Sequence, residues 1–363
     1  MTLNPGATVG ILGAGQLGRM LAMAAAKLGL RSHVYAPDSD APAYGACSMQ
    51  TVAAFDDWEA LVRFADEVDV ITYEFENVPA ECVAFLAARK PVRPDARALA
   101  TAQDRLSEKS FLASIGLETA PFRAVDDLAG LAPALRAIGR PAILKTRRFG
   151  YAGKGQIMIR EGTDLAEAHR SLGEGPMILE GFVTFEREVS VIVARSVEGD
   201  CAVFDLCENE HERHILARTH VPAVVAAATA AAADKLARRV ADALNYVGVL
   251  GVEMFLVTNA EGVECLVVNE LAPRVHNSGH WTLDGAVTSQ FEQHVRAVAG
   301  WPLGATTRRG RVEMRNLIGD EADRWRDILA EPEWSLHLYG KLQSRPGRKM
   351  GHMTRVFREE AAG

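Results

Sequence analysis

Two glutamates on neighbouring segments are the residues of this sequence best suited to metal chemistry. Residues 252–257 and 263–268 are rich in β-branched side chains, and residues 258–262 between them are typical of a turn. A hairpin that closes near residues 259–262 places Glu253 across from Asn269 and Glu270. At ~4 Å and an effective dielectric of about 20, two such carboxylates repel each other by roughly 4 kcal/mol. The pair is therefore expected to share a proton, bind a cation or be hydrated.

The surroundings of this pair favour Mg²⁺ and an anionic substrate. Hard oxygen ligands are typical of Mg²⁺, which usually takes one or two protein carboxylates together with substrate phosphates. A loop with Pro and Gly follows the second glutamate and carries Arg274, His276, Asn277, Ser278 and His280. A metal pair beside a cationic loop predicts a site for an anion and a nucleotide phosphate. The alternative is that both acids simply flank a surface strand.

A glycine-rich loop is the second candidate for phosphate binding. It joins a predicted strand at 142–145, which ends in Lys145, to another at 157–160, and it contains Gly150, Tyr151, Ala152, Gly153, Lys154, Gly155 and Gln156. A Walker P-loop needs a helix next, so this strand–loop–strand context excludes it. We predict a lid over a triphosphate, with Lys145 beneath as a point charge. A plain basic hairpin is the alternative.

The N-terminal segment predicts a βαβ unit with a GxGxxG turn at Gly13, Gly15 and Gly18. The backbone N–H groups of such glycines at a helix N-terminus can bind a phosphate. A nicotinamide-binding domain would want an acid about 20 residues on; Asp38 is a late candidate, so this alternative stays open. A third predicted strand, 68–73, runs into Glu74 and Glu76. Open α/β sheets bind ligands at this end of their strands, so Glu74 is expected to meet a substrate amine or ribose, unless both acids are solvated.

Three further segments carry candidate ligands. Residues 177–183 predict a strand and a connector whose main chain could pair with an adenine edge, with Glu188 beyond it for ribose hydroxyls. His211 and His214 favour hydrogen bonding over metal binding. One continuous helix is expected at 98–115. Near the C-terminus, a basic cluster predicts a clamp for a phosphate monoester, the alternative being a solubilising tail; its members are Lys341, Arg345, Arg348, Lys349 and His352.

Composition limits the class of protein. The chain has 363 residues, enough for two or three domains, with 48% hydrophobic and 24% charged residues and a net charge of −7. This charge argues against nucleic acid as the main partner, and no apolar run reaches the ~18 residues of a spanning helix. Strand-like sequence begins at Val9, so no signal peptide is expected. The five scattered cysteines fit reduced thiols in a cytoplasm.

These stretches together resemble the ATP-grasp superfamily and, within it, the family of 5-(carboxyamino)imidazole ribonucleotide synthases. The resemblance covers nearly the whole chain and rests on GAGQLGRM, DRLSEKSFL, GYAGKGQ, NELAPRVHNSGHWT, YGK and RPGRKMGH in this order. It implies an α/β and α+β architecture with a Rossmann-like pre-ATP-grasp domain at 1–97, an ATP-grasp domain at 98–300 with a lid at about 118–182, and a small β-rich domain at 301–363. It also implies a cytoplasmic homodimer that binds neither nucleic acid nor membrane.

The resemblance implies a role for each matching position. ATP would contact Arg105, Lys145, Gly150, Tyr151, Ala152, Gly153, Lys154, Gly155, Gln156, Glu180, Gly181, Phe182, Val183, Glu188, His211, Asn269 and Glu270. Mg²⁺ would be held by Glu253 and Glu270. Aminoimidazole ribonucleotide would meet Glu74 and Tyr151, with Lys341 and Arg348 on its phosphate. Bicarbonate activation and transfer would involve Lys145, Arg274, His276 and Asn277.

One residue departs from the family pattern. The family usually has Asp after the loop tyrosine, where this chain has Ala152; that acid is expected to position the amine of the ribonucleotide, so a neighbour such as Glu74 could supply the carboxylate instead. The implied activity is ATP-dependent carboxylation of the ribonucleotide through carboxyphosphate. Rival interpretations are another ATP-grasp ligase, such as a formate-using transformylase or a biotin carboxylase, a nicotinamide-dependent dehydrogenase, and a non-catalytic nucleotide sensor.

Overall fold

A computed structural model describes residues 1–148, 150, 155–173 and 175–357. Two of the sheets in this part of the chain belong to separate α/β units, and a larger antiparallel sheet follows both of them in sequence. Among the described helices, none has both the length and the apolar character needed to cross a membrane. The mixed α/β architecture expected from the sequence is confirmed.

The N-terminal unit is a parallel sheet flanked by helices. In the described residues its strands are ordered β3-β2-β1-β4, and they are β1 (Thr8–Leu12), β2 (Arg31–Ala36), β3 (Met49–Val52) and β4 (Val70–Tyr73). The helices of this unit are α1 (Gln16–Lys27), α2 (Trp58–Asp66) and α3 (Ala80–Ala87). Strands β1 and β4 are buried throughout, as expected for a parallel sheet covered on both faces.

The segment predicted as one helix at 98–115 is two helices, so that prediction is wrong. They are α4 (Ala96–Gln103) and α5 (Arg105–Ser114). Asp104 between them has extended backbone, and its carboxylate accepts hydrogen bonds from the Leu106 and Ser107 amides at 3.0 and 3.1 Å. Such a side chain bonds the amides that have no partner in the first turn of a helix. It therefore favours the start of a new helix over continuation of the preceding one. The break matters because it places Arg105 in the first turn of α5.

A second unit carries the glycine-rich loop. Its antiparallel strands, ordered β5-β8-β6-β7 in the described residues, are β5 (Phe122–Val125), β6 (Ala142–Thr146), β7 (Gln156–Ile159) and β8 (Met177–Gly181). Its helices are α6 (Leu128–Ile138) and α7 (Leu165–Ser171). The glycine-rich loop connects β6 to β7, so the strand–loop–strand prediction is confirmed.

The large sheet supplies the rest of the architecture. Its path in the described residues is β14-β13-β9-β11-β12-β15-β17-β16, with β10 paired to β9. The strands are β9 (Arg187–Arg195), β10 (Cys201–Val203), β11 (Cys207–Glu212), β12 (Ile215–Val221), β13 (Gly248–Thr258), β14 (Glu264–Ala272), β15 (Arg311–Ile318), β16 (Trp334–Leu338) and β17 (Lys349–Phe357). The helices here are α8 (Ala227–Ala243), α9 (Thr282–Gly285), α10 (Gln290–Ala299) and α11 (Trp325–Ala330).

Candidate active site

The hairpin β13–β14 brings the two predicted metal ligands together. Glu253 is the cross-strand partner of Glu270, so the predicted register is confirmed, and directly opposed residues leave the same face of a sheet. His276 Nε2 lies 2.8 Å from Glu253 Oε1, and Arg105 Nη1 lies 3.4 Å from Glu270 Oε2. Burial opposes the charge of Glu253, but the adjacent His276 outweighs it and lowers the pKa of Glu253 to about 2. Glu253 is therefore an ionised carboxylate at neutral pH.

The donor set at this pair fits Mg²⁺. Within the described ranges, no group of three or more His, Cys, Asp or Glu side chains is placed to hold a metal ion. Two carboxylates alone do not make a zinc site, whereas Mg²⁺ takes one or two of them and completes its shell with water and substrate phosphates. The side chain of Glu270 is 40% exposed, so the pair can be reached from solvent.

Arg105 ties this pair to the glycine-rich loop. Its Nη2 donates to the carbonyl oxygen of Gly150 at 3.3 Å, in addition to its contact with Glu270. At the other end of the loop, a Cβ on Gly155 would lie 2.7 Å from Thr146 Oγ1, at a φ of +72° that favours glycine. The intervening candidates Tyr151, Ala152, Gly153 and Lys154 lie outside the described residues.

A buried ion cluster lies where the nucleotide base and phosphates are predicted. Lys145 Nζ and Lys109 Nζ lie 2.9 and 3.6 Å from Glu180 Oε2, while Glu180 Oε1 is buried without a hydrogen-bond partner. Burial opposes the charge of Glu180, but the two lysines lower its pKa. Burial and the neighbouring cations lower the pKa of Lys145 despite Glu180. This unbalanced positive charge suits a further anion, and the free oxygen of Glu180 suits an N–H donor.

The remaining nucleotide candidates line the strands beside this cluster. Glu188 on β9 lies with its Oε2 2.5 Å from His211 Nδ1 on β11. Burial alone would lower the pKa of His211, and Glu188 raises it. Phe182, next to the predicted adenine contact Val183, is exposed, and Phe185 stacks on Phe255 with ring centroids 4.5 Å apart. His211 thus lies against a carboxylate, and its hydrogen-bonding role stays a prediction.

Glu74 occupies the glycine turn of the N-terminal unit. Its carboxylate accepts hydrogen bonds from the amides of Gly15 and Gly18, the second at 2.6 Å. A Cβ on Gly13 would lie 2.5 Å from Glu74 Cγ, so the turn closes on this side chain. Burial raises the pKa of Glu74, against the opposing effect of the two amides. The amides that would bind a phosphate in a dinucleotide fold are therefore already bonded to a carboxylate of the chain.

The loop after β14 is held by acids and amides. Arg274 forms an ion pair with Glu76, and although burial opposes the charge of Glu76, Arg274 lowers the pKa of this acid to about 2. The Asn277 Nδ2 donates to His280 Nδ1 at 3.0 Å and to Asn316 Oδ1 at 2.9 Å, and Asn277 Oδ1 accepts from Asn316. The Asn277 amide is thus already satisfied within the protein, which leaves Arg274 and His276 as the groups of the loop nearest the carboxylates.

The C-terminal basic cluster divides into a surface part and a core part. Lys341 Nζ donates to the Lys349 carbonyl oxygen at 2.6 Å, and Arg348 donates to the Gln343 carbonyl oxygen at 2.8 Å. Burial and nearby Arg348 lower the pKa of Lys341 to about 8 despite Glu74, and burial lowers that of Lys349 to about 8 despite Glu253. His352, expected in the clamp, is fully buried and stacks between His280 and His337; that expectation is wrong, because alternate residues of β17 face the core.

The structure joins most predicted residues into one region and adds two that the sequence analysis did not single out. Electrostatic coupling links Glu74 to Lys341, Glu253 to Lys349, and Arg105 to Glu180. Lys109 was missed although it lies one helical turn after Arg105, a spacing that puts both on one face of α5. Lys349 was noted only as part of a basic run. It lies at the start of β17, close enough to Glu253 for the two charges to interact, and this long-range contact cannot be predicted from composition.

Comparison with known proteins assigns the chain to a family. Family models match at residues 110–291 (ATP-grasp domain), 6–103 (ribonucleotide synthetase preATP-grasp domain) and 313–362 (phosphoribosylaminoimidazole carboxylase C-terminal domain). The N5-carboxyaminoimidazole ribonucleotide synthase of Brucella melitensis is 51% identical over 98% of each chain.

Solved structures agree with the sequence relatives. A crystal structure of an N5-carboxyaminoimidazole ribonucleotide synthetase in complex with ADP has a TM-score of 0.94 at 40% identity, covering 99% of this chain and 94% of that one. The Aspergillus clavatus enzyme, in complex with ADP and 5-aminoimidazole ribonucleotide, has a TM-score of 0.89 at 32% identity, covering 97% and 94%. This chain belongs to the N5-carboxyaminoimidazole ribonucleotide synthase family of ATP-grasp enzymes.

Proposed function

We propose that this protein carboxylates 5-aminoimidazole ribonucleotide with bicarbonate, using ATP, to give N5-carboxyaminoimidazole ribonucleotide, ADP and phosphate. The observation that carries the proposal is the pairing of Glu253 with Glu270 beside the Arg274–His276 loop. That arrangement offers a metal and terminal-phosphate position on one side and an anion position on the other. Relatives that share nearly the whole chain carry the corresponding name.

The nucleotide would lie between β8 and the β13–β14 hairpin. The unpartnered oxygen of Glu180 can accept from an adenine amino group, Glu188 can accept from ribose hydroxyls, and Lys145 can contact phosphate oxygens. Glu253 and Glu270 would hold Mg²⁺, with Asn269 beside them on β14. When bound there, Mg²⁺ would offset the negative charge of the nucleotide phosphates. Gly150 to Gln156 would form the lid, with Arg105 fixing its first residue through the Gly150 carbonyl.

The ribonucleotide would bind between the N-terminal unit and the C-terminal strands. Glu74 is held by the glycine-turn amides, and its charge interacts with that of Lys341. We place Lys341 and Arg348 at the phosphate of the ribonucleotide, and Tyr151 on its base. With Ala152 in place of an acid, Glu74 is the buried carboxylate left to receive the amine.

Bicarbonate is a poor electrophile, so the reaction begins with its phosphorylation to carboxyphosphate. Arg274, Lys145 and His276 would offset the negative charge that gathers on the transferring phosphoryl group, mainly by positioning and electrostatics. Carboxyphosphate hydrolyses readily, and the lid would exclude water from it. The exocyclic amine then attacks carboxyphosphate, or CO₂ released from it, and the departing phosphate takes the amine proton. Asn277 would orient the loop through its bonds to His280 and Asn316.

ADP release measured with each substrate omitted in turn tests this proposal. We expect release that requires bicarbonate and that rises when aminoimidazole ribonucleotide is added. Equal release with and without the ribonucleotide would contradict the proposed substrate and would favour another ATP-grasp ligase. A dehydrogenase is disfavoured because Glu74 fills the pyrophosphate position of the glycine turn. The domain limits 1–97, 98–300 and 301–363, a homodimeric state and a cytoplasmic location stay predictions.

A further inference from the structure

Helix α10 contacts several parts of the candidate site without lining it. Gln290, Gln293 and His294 on this helix are fully buried. We propose that Gln290 and His294 are positioning residues, which fix His276, Glu74 and Glu253 in a single catalytic geometry. The proposal deepens the proposed function and rests on it. The two residues are four apart and therefore lie on one face of the helix.

Gln290 holds the main chain of His276 at two points. The His276 amide donates to Gln290 Oε1 at 2.9 Å, and Gln290 Nε2 donates to the His276 carbonyl oxygen at 2.7 Å. Two bonds to one residue fix the orientation of its backbone as well as its position. The loop also packs closely here, because a Cβ on Gly279 would lie 2.6 Å from Gln290 Oε1. The His276 ring then reaches Glu253 at 2.8 Å.

His294 joins the two sheets that carry the substrate and metal carboxylates. The Val249 amide donates to His294 Nδ1 at 3.1 Å, and His294 Nε2 lies 2.8 Å from Thr72 Oγ1. Because an amide can only donate, Nδ1 accepts, and Nε2 carries the ring proton and donates to the hydroxyl. Thr72 lies on β4, two residues before Glu74, and Val249 precedes Glu253 by four residues on β13. One imidazole therefore sets the spacing between these strands.

The same helix provides a matched control. The Gly304 amide donates to Gln293 Oε1 at 2.9 Å, and Gln293 Nε2 donates to the Gly304 carbonyl oxygen at 2.6 Å. Gln293 thus makes the same pair of main-chain bonds as Gln290, from an equally buried position, but to a residue outside the site. A general effect on stability is expected from both glutamines, whereas an effect on catalysis is expected from Gln290 alone.

The experiment compares Gln290→Met with Gln293→Met in the full chain. Both variants should lose thermal stability to a similar extent and keep the wild-type Kd for ADP. We expect kcat to fall by about 10²-fold in Gln290→Met, since a misplacement of about 1 Å can cost that much, and to stay within about twofold in Gln293→Met. Crystal structures should show the contact between His276 and Glu253 lost only in Gln290→Met.

His294→Asn gives a second, independent measurement. An asparagine amide can still accept from Val249 but is too short to reach Thr72, so we expect KM for the ribonucleotide to rise about tenfold while KM for ATP stays within about twofold. Equal kcat in the two methionine variants, a preserved contact between His276 and Glu253 in Gln290→Met, or an unchanged KM in His294→Asn would overturn the inference. A wild-type protein without ribonucleotide-dependent turnover would count against the proposed function, and the crystal comparison would still decide the positioning role.

Discussion

The buried glutamate on α5 makes the stability of this protein depend on pH in an unusual direction. Glu108 is 2% exposed, and its Oε1 accepts a hydrogen bond from the Leu271 amide at 2.7 Å. Burial raises its pKa to about 8, and the neighbouring Glu270 adds to this effect. The folded protein therefore keeps a proton on Glu108 at pH values where the unfolded chain has already released it.

The size and sign of the effect follow from linkage between protonation and folding. Stability falls with rising pH wherever the folded state binds more protons than the unfolded state. For Glu108 this range runs from about pH 4.5, the ordinary value, to about pH 8. At about 1.4 kcal/mol for each pH unit, the contribution of Glu108 falls by up to about 5 kcal/mol across this range. Glu108→Gln keeps an oxygen acceptor for the Leu271 amide and cannot ionise, so it should lack this loss.

Urea unfolding of both proteins at pH 5 and pH 8, without nucleotide or metal, measures the difference. We expect the unfolding free energy of Glu108→Gln, relative to wild type, to rise by several kcal/mol between the two pH values. Glu81→Gln, at an exposed position on α3, serves as a control and should stay within about 0.5 kcal/mol of wild type at both. Parallel pH profiles for wild type and Glu108→Gln would refute the reasoning, because they would mean that Glu108 titrates alike in both states.

Three further predictions concern the site itself. Glu270→Gln should abolish Mg²⁺-ATP turnover with unchanged circular dichroism, and normal turnover would exclude a metal role. Glu74→Gln should lower the free energy of unfolding in urea by about 1–3 kcal/mol, because an amide nitrogen then faces one of the buried glycine N–H groups. The same variant should raise KM for the ribonucleotide but not for ATP. A change in KM for ATP alone would be inconsistent with the placement of Glu74. Ala152→Asp should raise turnover at limiting ribonucleotide, and no change would mean that this acid is dispensable here.

Local patterns allowed some of the site to be predicted. The turn residues at 259–262 determine the register of the hairpin, so the placement of Glu253 across from Asn269 and Glu270 could be predicted from spacing. The choice of Glu270 as the direct partner depends on a register shift between Glu253 and Met254, which spacing does not reveal. The strands on both sides of the glycine-rich loop could be predicted equally well, because each is a short apolar run with clear ends. Residue roles at the nucleotide came from family resemblance. Neither the register of β9 nor its pairing with β13 is encoded in a short stretch of sequence.

Features that depend on distant contacts were not predicted. Lys109 contacts Glu180 from another element, 71 positions away in the sequence, so only the folded chain brings them together. The break at Asp104 was missed because the flanking residues are good helix formers, and the deciding bonds from its carboxylate compete with helix continuation. In the sequence, His352 lies in a run of basic residues. In the fold, the alternation of side chains along β17 places it in the core.

The glycine turn shows why a motif does not determine its ligand. The N-terminus of a helix can bind any anion that lies next to it. Here that anion is the carboxylate of Glu74, which directly follows β4. Glu74 uses the amides of Gly15 and Gly18 and so cannot rotate away from them without leaving two buried donors unsatisfied. The turn that would otherwise bind a dinucleotide thereby fixes a carboxylate whose charge interacts with Lys341. The glycine turn thus supports a side chain of the protein in place of a nucleotide, and we infer that the N-terminal unit binds the ribonucleotide while ATP binds elsewhere.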